Sequence, residues 1–455
     1  MKQTFTLKEK TKLILILLIP ILITQLSMFS MVFFNTMMSG RYDSADLAGV
    51  AIGASIWNPV FIGLSGILLA VSPIAAQKIG EKNNSEVTAI VKNGLVLSVL
   101  IALIVIIAGI LLLNPLLSSM GIEGRVYEIA FHYLSGLSIG IFPLFAFNVL
   151  RSFIYALGKT RIVMVILLLA IPINLVMNYI LIFGKFGFPE LGGAGGGYAT
   201  AITYWFILFM TILVILKLQP YSTYKIFAGS KGIEWSKIGE ILKIGIPMGL
   251  SAFFETSMFA CVTILLSRFD VTTIAAYQSA LNIVSFLYMI PISISMALTV
   301  VVGYEVGAGR NKDAKTYSWL GIYMAMFIAL LTGLLIVFFR YEVASLYSSE
   351  PAVVALTSHF LIFALFFQIS DAMQVTAQAA LRGYKDVNIA FIITLVAYWL
   401  ICLPVGFVLA NYTSLGANGY WLGLTAGLLV AGIFLSGRLL HIQKHKFSYA
   451  SSTAN

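Results

Sequence analysis

The stretch LILILLIPILITQLSMFSMVFF, residues 13–34, runs for 22 residues without a charged side chain. An α-helix needs about 20 apolar residues to cross the hydrocarbon core of a bilayer. A cleaved secretory signal has a shorter apolar core of about 7–15 residues and ends at a small-residue cleavage site, which this stretch lacks. The stretch therefore predicts a first transmembrane helix rather than a signal that is removed.

The rest of the chain has the same character. Of its 455 residues, 60% are hydrophobic and 10% are charged, whereas a soluble domain has about 25% charged residues. The sequence therefore predicts an all-α polytopic membrane protein. The same length criterion gives twelve transmembrane helices, near residues 11–34, 50–77, 93–113, 126–150, 162–183, 196–216, 241–267, 273–304, 316–339, 352–381, 387–410 and 418–437.

The distribution of basic residues predicts the orientation of these helices. If the N-terminus is cytoplasmic, 23 of the 28 Lys and Arg residues lie in segments on the cytoplasmic side and 5 lie on the outer side. Such an excess is the positive-inside pattern of membrane proteins. We therefore expect a multi-pass protein of a bacterial-type plasma (inner) membrane with both termini in the cytoplasm. Because orientation accounts for the formal charge of +10, we expect no nucleic-acid partner.

The two halves of the chain resemble each other at a constant offset. The IP dipeptide at 19–20 recurs at 246–247, and Ser30, Thr36 and Gly80 recur as the same residue types 227 positions later. Six spans per half give both halves the same orientation, as in transporters with parallel repeats, in which the site is expected between the halves. The prediction is two six-helix bundles within five segments: a cytoplasmic N-tail (1–10), an N-terminal bundle (11–216), a cytoplasmic linker (217–240), a C-terminal bundle (241–437) and a cytoplasmic C-tail (438–455).

Two acidic residues lie deep in the predicted spans of the C-terminal half. Glu255 is roughly 18–20 Å from the nearest Lys or Arg along its own span, and Asp371 is roughly 16 Å from Arg382. A charge at the centre of a span costs roughly 2.5–3.5 kcal/mol on insertion scales. No basic residue stands within a helical turn of either acid, and no basic partner is expected in the interior of another span.

Two arrangements would make such a pair of acids tolerable. A proton can neutralise a carboxylate, or a cation such as Na⁺ can lie between the two carboxylates with further oxygen ligands. Either arrangement suits an ion-coupled transporter. The alternative is a structural role, in which the two acids are protonated and only form hydrogen bonds with neighbouring helices. The chain contains no nucleotide-binding P-loop motif, so we expect transport to be driven by an ion gradient.

Several motifs resemble those of a known family. MMSGRYDSADLAGVAIGASIWNPVFIGLSGILLAVSPIAAQKIG (37–80), FFETSMF (253–259) and LRGYKD (381–386) are similar to the multidrug and toxic compound extrusion (MATE) family, NorM-like branch. The resemblance extends over about residues 10–437. It implies twelve helices in two six-helix bundles and the export of organic cations in exchange for Na⁺ or H⁺.

The resemblance also implies roles for individual residues. It assigns the coupling cation to Glu255, Asp371, Tyr288 and Phe259, with Glu255 and Asp371 as ligands of Na⁺. It assigns substrate contact to Asn35, Ser55 and Gln278. It assigns a polar cluster in the N-terminal bundle to Asn174, Asn178 and Thr200.

One position departs from the family pattern. The first helix of the family usually reads DT-x-M-x-G, whereas this chain reads FFNTMMSG (33–40), with Asn35 in place of the acid. Because Asn cannot take up a proton, the departure favours Na⁺ over H⁺. The alternative is H⁺-coupled export with Glu255 and Asp371 as the proton carriers.

Two other functions are alternatives to ion-coupled drug export. A lipid-linked sugar flippase of related architecture should carry several cationic residues in its cavity for phosphate, and none is predicted at the midplane. A membrane-embedded enzyme needs a clustered nucleophile, base or metal set, and none stands out, so we expect no enzyme activity. The expected partners are small organic cations and the lipid bilayer, with Na⁺ or H⁺ as coupling ion, no cofactor and a monomeric state.

Overall fold

The computed structural model describes residues 3–228 and 232–452 and forms them into helices, with no β-strand among the described residues. The helices are α1 (Leu7–Tyr42), α2 (Ser44–Leu68), α3 (Val71–Gly80), α4 (Asn84–Ser119), α5 (Gly124–Ser138), α6 (Ile141–Ala156), α7 (Thr160–Phe183), α8 (Gly193–Lys217), α9 (Trp235–Leu265), α10 (Val271–Gly307), α11 (Asn311–Phe338), α12 (Arg340–Ser345), α13 (Pro351–Gly383), α14 (Val387–Leu395), α15 (Leu403–Tyr412) and α16 (Asn418–Ser452). A π-helical segment, Val396–Cys402, joins α14 to α15.

The predicted membrane fold is confirmed. Within the described residues, 11 stretches are long and apolar enough to cross a membrane, and α5 with α6 forms a further one that bends by 47°. Counting the bent pair as one span gives the predicted twelve. Gly140 lies at the bend, where an added Cβ would come within 2.8 Å of the Ala201 Cα, so the backbone of α8 packs directly against the break.

The chain divides into two compact units, and the division falls inside two helices. One unit contains the described residues up to Leu18 and from Leu250 onward, and the other contains those of Ile19–Gly249. We refer to them as the Glu255 unit and the Asn35 unit. Helices α1 and α9 therefore each contribute residues to both units, whereas the bundles predicted from the sequence keep each helix whole.

Polar contacts account for the position of these helix halves. At the start of α1, the Lys10 Nζ forms an ion pair with Asp313 Oδ1 at 2.7 Å. At the start of α9, Lys237 forms an ion pair with Glu86, and the Asn93 Oδ1 accepts the backbone N–H of Glu234 at 2.9 Å. Each half is thus fastened by side chains of its own unit.

Two aspartates cap helices at equivalent positions of the repeat. Asp43 accepts the backbone N–H of Ala45 at 2.8 Å at the start of α2. Asp270, 227 positions later, accepts the backbone N–H of Thr273 at 3.0 Å at the start of α10. A carboxylate at this position satisfies backbone donors that have no partner within the helix. The internal repeat predicted from the sequence is therefore visible in local structure.

Helix α13 lies at the centre of the Glu255 unit, where it packs against α10, α11 and α16. Small residues on these helices, among them Ala325, Ala329 and Ala372, form a buried cluster with Ile294 and allow close approach of the helix backbones. The side chains on the inner face of α13 are consequently enclosed by protein rather than exposed to lipid.

Candidate ion-coupling and substrate sites

The two deep acids lie on separate helices and interact. Glu255 is a half-buried residue of α9, and Asp371 is a residue of α13 with 5% of its surface exposed. The charges of the two carboxyl groups act on each other. Because like charges in an apolar environment repel strongly, a pair of this kind favours the uptake of a positive charge.

The two aromatic residues predicted for the coupling site lie beside these acids. Tyr288 of α10 interacts electrostatically with both Glu255 and Asp371. Phe259, one turn after Glu255, places its ring 6.2 Å from that of Phe367, which is one turn before Asp371. The ring contact joins α9 to α13, so the structure brings all four predicted residues into one region of the Glu255 unit.

Tyr398 belongs to this region and was missed by the sequence analysis. It is fully buried in the π-helical segment, and its phenol lies beside the Glu255 carboxyl group. The next residue, Trp399, donates its indole N–H to the carbonyl of Phe254 at 3.3 Å, which fixes the segment to α9 just before Glu255. Single π-helical turns are frequent at functional sites. The available signal was an adjacent Tyr and Trp in the middle of a predominantly apolar span.

Arg382 is the second residue that the sequence analysis missed. Its Nη2 donates to the Gln378 Oε1 at 2.8 Å, and its charge acts on Glu255, Tyr288 and Tyr398. The expectation that the acids have no basic partner in the protein interior was therefore wrong. Side chains of an α-helix point towards its N-terminus, so Arg382, in the last turn of α13, extends back into the unit.

Asp371 and Arg382 are the two ends of a polar stripe along α13. The stripe contains Asp371, Gln374, Gln378 and Arg382, spaced by three or four residues so that they share one helix face. Gln374 and Gln378 have 0% and 3% of their surfaces exposed, and the Gln374 Nε2 is 3.5 Å from the Gln378 Oε1. This spacing was readable from the sequence and would have indicated that Arg382 faces inward.

The three residues predicted to contact substrate do not share one unit. Gln278 lies in the Glu255 unit, half-buried on α10, with its Nε2 at 3.5 Å from the Thr263 Oγ1 of α9. Asn35 and Ser55 lie in the Asn35 unit. The Ser55 hydroxyl donates to the Ala51 carbonyl of its own helix at 2.8 Å, so this donor is already used by the backbone.

The polar residues predicted for the N-terminal bundle meet around α8. Asn35 donates from its Nδ2 to the Gly196 carbonyl at 2.9 Å and to the Thr200 Oγ1 at 3.1 Å. Asn178 donates to the Asn174 Oδ1 at 3.0 Å, and Asn174 donates in turn to the Thr203 Oγ1 at 3.1 Å. Thr203, three residues after Thr200 on the same helix, is a member that the sequence analysis missed. The structure therefore joins α1, α7 and α8 through neutral side chains.

Gly196 makes the contact of Asn35 with α8 possible. A Cβ at this position would come within 2.4 Å of the Asn35 Oδ1. Only a residue without a side chain allows the amide to reach the helix backbone at hydrogen-bond distance. The glycine-rich start of α8 thus has a packing role.

The acid pair differs from a transition-metal site. Among the described residues, no group of three or more His, Cys, Asp or Glu side chains could hold a metal ion. Two carboxyl groups with neighbouring amide and phenol oxygens offer the oxygen ligands that hard cations prefer.

Sequence relatives resemble this protein over nearly the whole chain. The profile of the MatE family matches residues 20–180 and 247–408. A protein of Halalkalibacterium halodurans named "Probable multidrug resistance protein NorM" is 51% identical over 451 residues, which is 99% of this chain and 98% of the relative. A Bacillus subtilis protein of the same name is 49% identical over 444 residues, covering 98% of each.

Solved structures agree with the fold. A eukaryotic MATE transporter matches with a TM-score of 0.84 at 22% identity, covering 98% of this chain and 99% of the other. A multidrug resistance MATE family transporter in an outward-facing conformation matches with a TM-score of 0.86 at 21% identity, covering 96% of each chain. At these identities the likeness concerns the fold, and the sequence relatives decide the family. The chain belongs to the MatE family of MATE transporters, in its NorM-like branch.

Proposed function

We propose that this protein is a secondary active multidrug efflux antiporter that exports small organic cations in exchange for Na⁺, which binds at Glu255 and Asp371. The observation that carries the proposal is the pair of interacting carboxyl groups inside the Glu255 unit. Membership of the MatE family and the multidrug resistance names of the relatives support the transport class. Transport, rather than an enzyme reaction, is the activity of this family, and we propose no cofactor besides the coupling ion.

The coupling ion is proposed to be Na⁺ because, among the described residues, no acid belongs to the polar cluster of the Asn35 unit. Asn35, Asn174 and Asn178 are amides that hydrogen-bond neighbouring groups. The acids of the Glu255 unit must then take up the whole coupling charge, with Tyr288 and Tyr398 beside them. A proton carried by the same two acids is the second candidate, because the repulsion between them is relieved by either ion.

Exchange follows from differential affinity. Binding of Na⁺ to the acid pair stabilises one conformation of the transporter, and binding of the organic cation stabilises the other. Each elementary charge that enters down a membrane potential contributes about 2.3 kcal/mol per 100 mV. Inward movement of Na⁺ can thereby drive export of the drug.

Arg382 argues against the flippase alternative. A carrier of lipid-linked sugars needs cationic side chains that are free to bind phosphate. The charge of Arg382 acts on Glu255 and its Nη2 binds Gln378, so this arginine is engaged within the unit. We further propose that the protein is a monomer in the plasma (inner) membrane, with both termini in the cytoplasm.

The decisive experiment is drug efflux from proteoliposomes with Na⁺ and pH gradients imposed separately. We expect the Na⁺ gradient to stimulate efflux, and Glu255→Gln and Asp371→Asn each to lower it at least tenfold. Glu342→Gln, which changes an exposed acid of the same unit, is the matched control and should retain wild-type efflux. Stimulation by the pH gradient alone would select the proton form of the proposal, and full efflux in both acid variants would disprove the site.

A further inference from the structure

A cavity of about 530 Å³ lies between the start of α4 and the linker that follows α8. Its α4 wall includes Thr88 and Lys92, and its linker wall includes Tyr224 and Lys225. Among the described residues of the lining, these two lysines are accompanied by a single acid, Glu234. The cavity therefore has a basic character, which suits an anionic group.

Hydrogen bonds from α4 hold the described parts of the linker in place around this cavity. The Thr88 Oγ1 donates to the carbonyl of Tyr224 at 2.8 Å, and the Lys92 Nζ donates to the carbonyl of Ala228 at 2.7 Å. Between these two attachments, Lys225 has a left-handed backbone with a φ of 47°. Residues other than glycine rarely adopt this conformation, and it recurs where a protein holds a ligand.

One face of α4 leads from the cavity towards the lipid. Positions 85, 88, 92, 96, 99, 103 and 107 are spaced by three or four residues, so they share one side of the helix. The first three are Ser, Thr and Lys, and the last four are Val, Val, Leu and Ile. Val99, Leu103 and Ile107 have 36%, 50% and 55% of their surfaces exposed. The face is thus polar beside the cavity and apolar beyond it, which is the order of groups in a phospholipid.

The linker also has the character of a segment at the surface of a bilayer. Phe227, Ile233 and Trp235 are large apolar side chains, and all three are exposed. Aromatic residues, Trp above all, are enriched where the hydrocarbon core meets the headgroups. The cavity beneath this segment therefore lies at the level expected for lipid headgroups.

The corresponding place in the Glu255 unit is built differently. Asn84 and Asn311, which are 227 positions apart, begin α4 and α11, so Lys92 corresponds to Trp319. The Trp319 indole donates its N–H to the Gln443 Oε1 of α16 at 3.1 Å. A contact between two protein side chains thus occupies this position in one unit, whereas a lysine lines a cavity in the other.

We propose that the cavity binds the headgroup of an anionic phospholipid, with the phosphate near Lys92 and Lys225 and the acyl chains along Val99 and Leu103. A lipid fits better than a free phosphate ion, because the basic cavity continues into an exposed apolar helix face. Anionic lipids attract basic groups at the surface of a membrane. The site belongs to the Asn35 unit, so the inference does not depend on the proposed ion site or on the identity of the coupling ion.

The test is native mass spectrometry of the purified full-length chain in detergent, titrated with phosphatidylglycerol and, separately, with phosphatidylcholine. We expect the wild type to bind phosphatidylglycerol in preference to phosphatidylcholine. Lys225→Gln, which changes an exposed side chain, should weaken binding of phosphatidylglycerol roughly fivefold. Adding Lys92→Gln should bring the loss to roughly 25-fold, because each lysine contributes a similar attraction to the phosphate.

Two double variants separate the site from net charge and from folding. Lys82→Gln with Lys217→Gln removes two exposed lysines of the same unit that lie outside the described lining, and it should bind phosphatidylglycerol like the wild type. Lys92→Arg with Lys225→Arg keeps both positive charges and should retain most of the affinity. Equal losses in the two Lys→Gln double variants would show a general charge effect and would overturn the site.

Three further results would also contradict the proposal. Wild-type affinity for phosphatidylglycerol in the variant that lacks both Lys92 and Lys225 would show that the lipid binds elsewhere. Equal binding of phosphatidylcholine would show that the negative charge is not recognised. Displacement of phosphatidylglycerol by inorganic phosphate at a similar concentration would show that the cavity binds a free ion and that the apolar face of α4 has no part in it.

Discussion

Met28 and Glu255 occupy corresponding positions of the internal repeat, 227 residues apart, one in each compact unit. At another pair of corresponding positions, Asp43 and Asp270, both units hold an aspartate that caps a helix. The repeat therefore retains the residue where the role is structural. It places an apolar thioether in one unit and a carboxylate in the other where an ion is proposed to bind.

The surroundings of these two positions sharpen the contrast. In the Asn35 unit, the Arg151 Nη1 lies 3.7 Å from the Met28 sulfur and its guanidinium carbon lies 5.6 Å from the centre of the Phe147 ring. In the Glu255 unit, Arg382 acts on Glu255. Each unit thus encloses an arginine near this position, but only the second unit pairs it with an acid among the described residues. We therefore propose that the coupling chemistry is confined to one half of a duplicated fold.

The polar clusters of the two units differ in the same way. Asn35, Asn174 and Asn178 form neutral hydrogen bonds that hold helices together. The cluster around Glu255 and Asp371 contains two carboxyl groups, and we propose that a cation completes it. Substitutions in the neutral cluster should therefore lower the stability of the protein. Substitutions in the cluster around Glu255 and Asp371 should lower its transport activity.

The substitution Glu255→Met should have the largest effect. It gives the Glu255 unit the residue type that the Asn35 unit has at the corresponding position, Met28. Loss of a carboxylate ligand is expected to lower Na⁺-driven efflux at least 100-fold, on the order of 3 kcal/mol or more of ion-binding energy. The charge of Arg382 then loses its counter-charge, so the free energy of unfolding should fall by about 1–3 kcal/mol. Efflux from proteoliposomes and thermal unfolding in detergent measure the two effects. Adding Arg382→Met should restore stability and leave efflux abolished; efflux restored by the double change would contradict the proposed ligand role.

Asn174→Leu should have an intermediate effect, and on stability rather than coupling. The substitution removes the acceptor of the Asn178 amide and the donor to Thr203. Buried polar groups that lose their partners cost about 1–3 kcal/mol each. Thermal unfolding should show this loss, while the number of Na⁺ ions bound per chain stays that of the wild type. Asn411→Leu, at an exposed position, is the control. A change in the number of Na⁺ ions bound by Asn174→Leu would contradict the view that this cluster serves stability and not coupling.

Asp270→Ala should have the smallest effect, and the effect should depend on pH. Hydrogen bonds from the Thr273 hydroxyl, at 2.6 Å, and from its backbone N–H lower the pKa of the Asp270 carboxyl group. A group whose pKa is lowered by folding stabilises the protein above the unfolded pKa, which is about 4 for Asp, and that contribution disappears as the pH falls through the lowered pKa. The difference in unfolding temperature between wild type and variant should therefore be present at pH 7 and shrink below about pH 4. A difference independent of pH would show that the cap does not act through the carboxylate.

The sequence by itself determined the membrane fold and predicted most of the residues of the proposed coupling site. Apolar runs such as residues 13–34 can be stable only as membrane-spanning helices, because a bilayer leaves no other way to satisfy the backbone. The depth of a residue in the membrane can be counted from the ends of its own span. The sequence therefore predicts that Glu255 and Asp371 lie deep in the membrane and need a compensating positive charge. A repeated offset of 227 residues indicated two related halves. Each of these conclusions depends on residues that are near one another in the chain.

Only the tertiary structure decided which groups surround the acids. Tyr398 and Arg382 are 143 and 127 residues from Glu255, and distances along any single helix axis give no sign that Arg382 lies near Glu255. The structure brings them together because α13 is enclosed by other helices, and because a long side chain in its last turn leans back towards the N-terminus of the helix. The division of α1 and α9 between units likewise depends on contacts such as Lys10 with Asp313. Packing between helices decides which charged groups meet inside a membrane protein. The sequence of a single span does not reveal that packing.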